Sequence, residues 1–237
     1  MASAPRTAAI IPAYNEASTV GDVIQAARAA RLVDEVIVVD NGSTDGTAEA
    51  ARAAGARVLV CEEQGKGQAM RTGVAGTDAE VICFLDADLL RLTRAHVDRL
   101  VAPVLAGEAG MTLGLFDRGP ELNPIFLKAL PRLTGQRAMR RELFESLDLE
   151  DIRGYRVEAA LNSRADDLDL PIDAFVCEGL WHRTKEEKDE DGPIAGTARK
   201  VAMLATAVWS YAAYQVIRPF RRSDTTVAEA DRDSRVA

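Results

Sequence analysis

Short apolar runs alternate with stretches of helical periodicity along the first half of the chain. Four runs are rich in strand-forming residues, and each ends at polar or turn-forming residues: 8–13, 35–39, 57–60 and 81–85. Between the runs, apolar residues recur at helical spacing, as they do from 20 to 27. This alternation predicts an α/β fold in which helices flank a mostly parallel sheet.

The second half has a weaker pattern. We expect a helix over 93–106, a strand over 110–115 and a late strand over 172–176. The segment 116–131 contains three prolines and has no clear period, which favours a lid or an acceptor-side loop. Residues 134–141 are expected to lead into a helix that ends near Leu147.

Two carboxylates follow the apolar run 81–85. Asp86 and Asp88 are one residue apart, so in an extended backbone both side chains point to the same side. Open α/β sheets bind ligands at the C-terminal edge of their strands, and carboxylates suit a divalent cation that carries a diphosphate. The alternative is a strand cap followed by a solvated turn.

Other polar residues follow the earlier strands. Asn15 and Asp40 come after the first two runs, and Lys66 stands between two glycines before a predicted helix. Glycines expose the backbone and a helix N-terminus favours anions, so Lys66 is a candidate phosphate contact; a solvated turn is the alternative. Because parallel strands end at one edge of a sheet, these residues and Asp88 are expected to converge on a nucleotide site.

Size and charge narrow the classes of function. A chain of 237 residues suits one domain, and its net charge of -8 argues against a general nucleic-acid binder. The three cysteines are odd in number and lack metal-ligand spacing, which indicates buried, reduced thiols. The first residues lack an apolar signal core, so we expect a cytoplasmic protein.

The mostly apolar run 201–217 predicts a C-terminal helix. It is shorter than the roughly 20 apolar residues that a membrane-spanning helix needs. It can cover the core or form a homodimer contact. Its basic flanks, which include Arg199 and Arg218, alternatively suit peripheral contact with anionic lipid.

Four motifs in this order resemble the GT-A fold nucleotide-sugar glycosyltransferases of family 2. They are Ile11-Pro12-Ala13-Tyr14-Asn15-Glu16, Val38-Val39-Asp40-Asn41-Gly42-Ser43-Thr44-Asp45-Gly46-Thr47, Gly65-Lys66-Gly67 and Phe84-Leu85-Asp86-Ala87-Asp88. The segments Thr134-Gly135-Gln136-Arg137-Ala138 and Gly154-Tyr155-Arg156-Val157-Glu158 resemble acceptor-side segments of the subgroup that includes glucosyl-3-phosphoglycerate synthases.

The resemblance implies a role for each matching donor-side residue. The donor-binding residues would be Pro12, Ala13, Tyr14, Glu16, Asp40, Ser43, Lys66 and Asp86. Asp88 would ligate Mg²⁺ or Mn²⁺, and His182 would be a second ligand of that metal. The alternative for His182 is an ordinary hydrogen-bonded surface histidine.

The same resemblance implies an acceptor side. Thr134, Gly135 and Arg137 would bind the acceptor, and Glu158 would join Asp86 as a catalytic residue. If the reaction inverts the anomeric centre, Glu158 is the candidate base for the acceptor hydroxyl. If it retains configuration, Glu158 orients the acceptor or the sugar, and a plain surface glutamate is the third possibility.

The expected organisation follows from these roles. Residues 1–115 form a nucleotide-sugar-binding half and 116–197 an acceptor-binding half of one domain; 198–222 form an apolar helix and 223–237 a disordered tail. The expected activity is transfer of a hexose from a nucleoside diphosphate sugar to a small hydroxylated and anionic acceptor such as 3-phosphoglycerate. The expected donor is UDP-glucose. The alternatives are transfer to polyprenyl phosphate at a membrane surface and a catalytically silent nucleotide-binding module.

Overall fold

A computed structural model gives the architecture of most of the chain. It describes residues 5–121, 123–124, 127, 134–148 and 157–182. The predicted C-terminal helix, the tail after it and the charged segment 185–191 lie outside these residues, as do 154–156. Within the described ranges, no helix is long and apolar enough to cross a bilayer.

The strands of the described residues form two sheets. They are β1 (Thr7–Ala13), β2 (Glu35–Asp40), β3 (Arg57–Val60), β4 (Val81–Phe84), β5 (Leu89–Leu90), β6 (Met111–Phe116), β7 (Arg137–Arg140), β8 (Ile172–Cys177) and β9 (Trp181–His182). Seven form one sheet in the order β3-β2-β1-β4-β7-β6-β8, and β5 pairs with β9. Every neighbouring pair in the large sheet is parallel except the two that involve β7, so the predicted mostly parallel sheet is confirmed.

Helices connect most of these strands. Their bounds are α1 (Val20–Ala29), α2 (Thr47–Ala53), α3 (Lys66–Ala75), α4 (Arg94–Leu105), α5 (Arg141–Glu145) and α6 (Val157–Asp167). α4 begins with a capping box in which Thr93 Oγ1 accepts from the His96 amide and His96 Nδ1 accepts from the Thr93 amide, each at 3.3 Å. His96 therefore has a structural role at a helix end.

Apolar side chains cover both faces of the large sheet. In β1, Ala9 and Ile11 join a cluster with residues of α1 and α4, whereas Ala8 and Ile10 join a second cluster with residues of α3 and α6. A strand buried on both faces has no polar side to display, which is why the sequence shows continuous apolar runs there. The cysteines at 61, 83 and 177 are free and buried, as expected.

The segment from 134 to 141 differs from the expectation. It does not lead directly into a helix but first forms β7, which lies antiparallel between β4 and β6. Only four residues long and bounded by arginines, β7 lacks an apolar run that a sequence pattern could detect. This strand brings residues 134–136 to the C-terminal end of β4.

The two acids follow β4 as expected, but the extended backbone that would put both side chains on one side does not continue to Asp88. β4 ends at Phe84, and Ala87 and Asp88 form a turn. The chain then enters the two-residue strand β5, where Leu89 pairs with His182 of β9. The turn gives the two acids separate surroundings, which the extended backbone of a strand would not.

Candidate active site

The loops after β1 and β2 are joined by side-chain hydrogen bonds. The backbone amides of Asn15 and Glu16 donate to Ser43 Oγ at 3.0 Å and to Thr47 Oγ1 at 2.8 Å. In return, Asn15 Oδ1 accepts from the Thr44 amide at 2.9 Å. Asn15 has a left-handed backbone with φ of 55°, which asparagine tolerates better than most residues. The predicted convergence of these two loops is confirmed.

The donor-binding residues predicted on this side lie around these loops. Pro12 and Ala13 end β1, and Tyr14 follows them with 54% of its surface exposed. Asp40 ends β2 as a buried carboxylate and accepts from the Ser43 amide at 3.2 Å. An exposed aromatic ring near a buried carboxylate offers a nucleoside a stacking surface and an acceptor for hydroxyl groups.

Asn41 holds the loop that precedes Lys66. Its amide nitrogen donates to the carbonyl oxygens of Cys61 and Glu63 at 3.3 and 2.9 Å, and its Oδ1 accepts from the Gly65 amide at 2.7 Å. Gly65 has φ of 134°, a conformation that side chains disfavour, so glycine is required there. Asn41 stands inside the second motif but had no predicted role, because its partners are backbone atoms of a loop that is distant in sequence.

Lys66 joins two carboxylates from distant parts of the chain. Its Nζ lies 2.7 Å from Asp86 Oδ1 and 2.8 Å from Glu158 Oε1. Burial lowers the pKa of Lys66, but the charges of both carboxylates outweigh burial and raise it above its ordinary value. Burial likewise opposes ionisation of Asp86, but Lys66 and Gln136 hold its pKa below the usual range. The site is therefore a compact cluster of alternating charges.

The segment before β7 packs on Asp86 from the other side. Gln136 is fully buried, and its Nε2 donates to Asp86 Oδ2 at 2.6 Å. Thr134 Oγ1 lies 2.6 Å from Gln136 Oε1 and 2.7 Å from the Gly114 carbonyl oxygen. A Cβ atom on Gly135 would collide with the Asp86 carboxylate. Gln136 had no predicted role, although it stands inside a predicted acceptor segment.

Arg137 is fully buried beneath this segment. Its guanidinium donates to the Thr134 carbonyl oxygen at 2.5 Å and to the Glu158 carbonyl oxygen at 3.3 Å. Burial lowers the pKa of Arg137 to about 10, against the opposing charges of Glu158 and Asp86. An acceptor could reach this guanidinium only by displacing these bonds. Of the three residues predicted to bind the acceptor, Gly135 is the one that is partly exposed.

β5 and β9 bring His182 close to Asp88. Leu89, which follows Asp88, is the Cα partner of His182 across this antiparallel pair. One peptide step and one cross-strand step place the Asp88 and His182 Cα atoms within roughly 9 Å. The His182 ring packs against Phe116 at 4.6 Å and against Trp181 at 5.8 Å between ring centroids. Two predicted metal ligands that are far apart in sequence are thus neighbours in the fold.

The donor set at this place fits a divalent cation that is completed by a ligand. Among the residues that the structure describes, no three His, Cys, Asp or Glu side chains cluster tightly enough to hold a metal by themselves. A carboxylate and an imidazole nevertheless suit Mn²⁺, and Mg²⁺ is commonly held by one or two carboxylates together with substrate phosphates. The described residues favour a metal that is bound together with a diphosphate.

Both the family model and the similar proteins described here are glycosyltransferases. The model of glycosyl transferase family 2 matches residues 8–160. The glucosyl-3-phosphoglycerate synthase of Mycobacterium tuberculosis is 33% identical to this chain, over 86% of this chain and 74% of that enzyme. Glycosyltransferase AglJ of Haloferax volcanii is 34% identical, over 71% of this chain and 54% of that protein.

Solved structures of the mycobacterial enzyme share the fold. Its crystal structure in complex with Mn²⁺, UDP-glucose and phosphoglyceric acid has a TM-score of 0.69 and 30% identity, and the match covers 87% of this chain and 78% of that chain. A second structure of that enzyme, with Mg²⁺ and UDP, also has a TM-score of 0.69. The expected GT-A architecture and the resemblance to this subgroup are confirmed.

Proposed function

The chain belongs to glycosyl transferase family 2, and on that premise we propose that it transfers glucose from UDP-glucose to 3-phosphoglycerate with Mg²⁺ or Mn²⁺. The observation that carries this proposal is the meeting of Asp86, Lys66 and Glu158 at one point. Asp86 follows β4 in the predicted donor half, and Glu158 lies on α6 in the predicted acceptor half. A relative that is 33% identical over most of the chain is a glucosyl-3-phosphoglycerate synthase, which supports the choice of donor and acceptor.

The donor would lie across the ends of β1, β2 and β4. In this proposal the nucleoside contacts Pro12, Ala13, Tyr14, Glu16, Asp40 and Ser43, and the remaining donor contacts come from Lys66 and Asp86. The joined loops after β1 and β2 hold the first group of residues together without a ligand. Such preorganisation lowers the entropy that donor binding costs.

Asp88 and His182 are the residues that would hold the metal. A bound divalent cation would neutralise the charge that develops on the departing nucleoside diphosphate. The short strands β5 and β9 pair His182 with Leu89, the residue that follows Asp88. The metal would then need phosphate oxygens to complete its coordination, which ties its binding to that of the donor.

Asp86 and Glu158 are the proposed catalytic carboxylates. Both are ion-paired to Lys66, whose positive charge helps to hold the pKa of Asp86 below its usual range. These contacts favour a role in which the two carboxylates orient sugar or acceptor hydroxyl groups and stabilise positive charge at the reacting carbon. We propose that the acceptor approaches over Gly135, between Thr134 and the buried Arg137, whose positive charge favours an anionic acceptor.

Product analysis tests this function directly. The chain is incubated with UDP-glucose, Mn²⁺ and 3-phosphoglycerate, and mass spectrometry follows the acceptor for the gain of one hexose. Parallel reactions contain a chelator, GDP-glucose in place of UDP-glucose, or polyprenyl phosphate in vesicles in place of the phosphoglycerate. We expect hexose transfer to 3-phosphoglycerate that needs both UDP-glucose and metal. Transfer to the polyprenyl phosphate alone, or UDP binding without turnover of any acceptor, would overturn the proposal.

A further inference from the structure

We propose that Gln136 is a positioning residue that fixes the carboxylate of Asp86 for donor binding, and that Thr134 fixes Gln136 in turn. This inference rests on the proposed function, because it assigns Asp86 to the donor. It gives a task to two buried polar side chains that precede the antiparallel insertion β7. It also explains why a segment expected on the acceptor side touches the donor side.

Each oxygen of the Asp86 carboxylate has its own donor. Gln136 Nε2 lies 2.6 Å from Oδ2, and Lys66 Nζ lies 2.7 Å from Oδ1. The two donors come from different elements, since Lys66 begins α3 and Gln136 immediately precedes β7. Rotation of the carboxylate in either direction would lengthen one of these charge-assisted bonds. Asp86 is therefore held in one orientation from both sides.

Side chains have to hold Asp86 because the sheet does not. The last ladder bond beyond β4 runs from the Leu85 amide to the Ile10 carbonyl oxygen at 3.1 Å, and the chain then turns. A carboxylate beyond the end of a strand keeps its rotamer freedom unless other groups restrict it. The bond from Gln136 supplies that restriction on the side away from Lys66.

The orientation of the Gln136 amide follows from its neighbours. A carboxylate only accepts hydrogen bonds, so the amide nitrogen has to face Asp86 and the amide oxygen has to face away. That oxygen lies 2.6 Å from Thr134 Oγ1, whose single hydroxyl proton can be donated either to it or to the Gly114 carbonyl oxygen at 2.7 Å. Because Gln136 is fully buried, water cannot replace either partner.

Space at Gly135 supports the same assignment. Its φ is not positive, so backbone conformation does not demand glycine here. A Cβ atom at this position would instead overlap both carboxylate oxygens of Asp86. The backbone from 134 to 136 therefore packs directly on the carboxylate, and glycine is what permits that approach.

Two substitutions at Gln136 separate hydrogen bonding from packing. Gln136→Ala removes the side chain, whereas Gln136→Glu keeps its shape and sets an oxygen against Asp86 Oδ2. We expect both to weaken UDP binding by about tenfold, which is the loss of one charge-assisted bond, and to raise the KM for UDP-glucose with little change in the KM for 3-phosphoglycerate. Gln25→Ala is the control. Gln25 is exposed, and its amide nitrogen donates to the Ala54 carbonyl oxygen rather than to a carboxylate.

Substitutions at Thr134 give a second test, which does not introduce a buried negative charge as Gln136→Glu does. Thr134→Val removes the hydroxyl group beside Gln136 and leaves Asp86 untouched, and we expect UDP binding to weaken by about threefold. Thr134→Ser restores the hydroxyl group and is expected to recover most of that loss. Both substitutions are measured by calorimetric titration of UDP with Mn²⁺.

The outcomes distinguish this inference from the proposed function. If Gln136→Glu and Thr134→Val bind UDP as the unchanged chain does, Gln136 only fills space and the inference is wrong. If UDP binding falls as expected but the unchanged chain transfers no glucose to 3-phosphoglycerate, the inference stands and the proposed acceptor is wrong. An equal rise in the KM of both substrates would also count against a donor-side role.

Discussion

The ammonium nitrogen of Lys66 lies 2.8 Å from Glu158 Oε1 and connects the N-terminus of α3 to the first turn of α6. α3 lies in the predicted donor half of the domain and α6 in the predicted acceptor half. The same nitrogen holds Asp86 at 2.7 Å, so one cation serves a carboxylate from each half. Any ligand that attracts Lys66 will alter both carboxylates together.

Removal of this cation should impair both binding and stability. In Lys66→Met, Asp86 and Glu158 lose the positive charge between them, and the pKa of Asp86 should rise because Lys66 holds it low. We expect the free energy of unfolding to fall by about 2 kcal/mol. UDP affinity should fall by at least about tenfold.

The measurements are urea unfolding and calorimetric titration of UDP with Mn²⁺. Arg71→Met removes an exposed cation from the same helix and should leave both quantities nearly unchanged. Lys66→Arg keeps the charge in a planar group and should give an intermediate result. A Lys66→Met chain as stable as its Arg71→Met counterpart would show that the ion pairs contribute no net stability.

Asn41 should act on donor binding through the loop that it holds. Asn41→Ala removes three hydrogen bonds to residues 61–65, and Lys66 directly follows that loop. We expect the Kd for UDP to rise by about tenfold, since the loop gains conformational freedom that binding has to remove. Calorimetry tests this, with Gln25→Ala as a matched amide control. An unchanged Kd would mean that helix α3 alone positions Lys66.

Asp117, which lies outside the cluster of Lys66, Asp86 and Glu158, should make the stability of the protein depend on pH in the acid range. Asp117 accepts from Asn123 Nδ2 and from the backbone amides of Gly119 and Gly179, and these bonds lower its pKa to about 2. Because the folded pKa lies below the ordinary value of 3.8, the stabilisation is complete above that value and disappears as the pH falls through about 2.

Comparison of Asp117→Ala with the unchanged chain tests this dependence. We expect the variant to unfold at lower urea concentration near neutral pH, and we expect the difference to narrow as the pH approaches about 2. Asp78→Ala, which removes an exposed carboxylate, serves as the reference. A difference that stays constant across this range would contradict the assignment of the shift to Asp117.

The centre of the large sheet was predictable because strands such as β1 and β4 are buried on both faces. Ala8 to Ala13 and Val81 to Phe84 are apolar without interruption, and the polar residues after them mark where each strand ends. The convergence of Asn15 with the loop after β2 followed from parallel topology alone. Pattern and topology together thus located the edge of the sheet where the site lies.

The contacts within the site were not predictable in the same way. Gln136 belongs to a segment that gives no strand signal, because β7 is short and two of its four residues are arginines. Its bond to Asp86 depends on an antiparallel insertion between β4 and β6, which no local pattern encodes. Asn41 bonds mainly to backbone atoms, whose positions depend on the folded loop. Residues that act through tertiary contacts leave little trace in sequence periodicity.

The pairing of β5 with β9 leads to the last prediction, which concerns the metal. If Asp88 and His182 hold a divalent cation, His182→Ala should weaken the apparent Mn²⁺ affinity by about 10- to 100-fold while UDP binding in the presence of a chelator stays unchanged. Asp88→Asn should lower kcat/KM by roughly a hundredfold with little loss of stability, because charge on the leaving diphosphate is then poorly neutralised.

The chain supplies its own control for the histidine. His96→Ala removes the other histidine, which caps α4, and should cost a little stability but leave the Mn²⁺ titration as it is. The titration is followed by the manganese resonance signal at fixed UDP concentration. If His182→Ala and His96→Ala give the same metal curve, the His182 ring, which packs against Phe116 and Trp181, serves only to anchor β9. Asp88 would then hold the metal with phosphate oxygens and without an imidazole ligand.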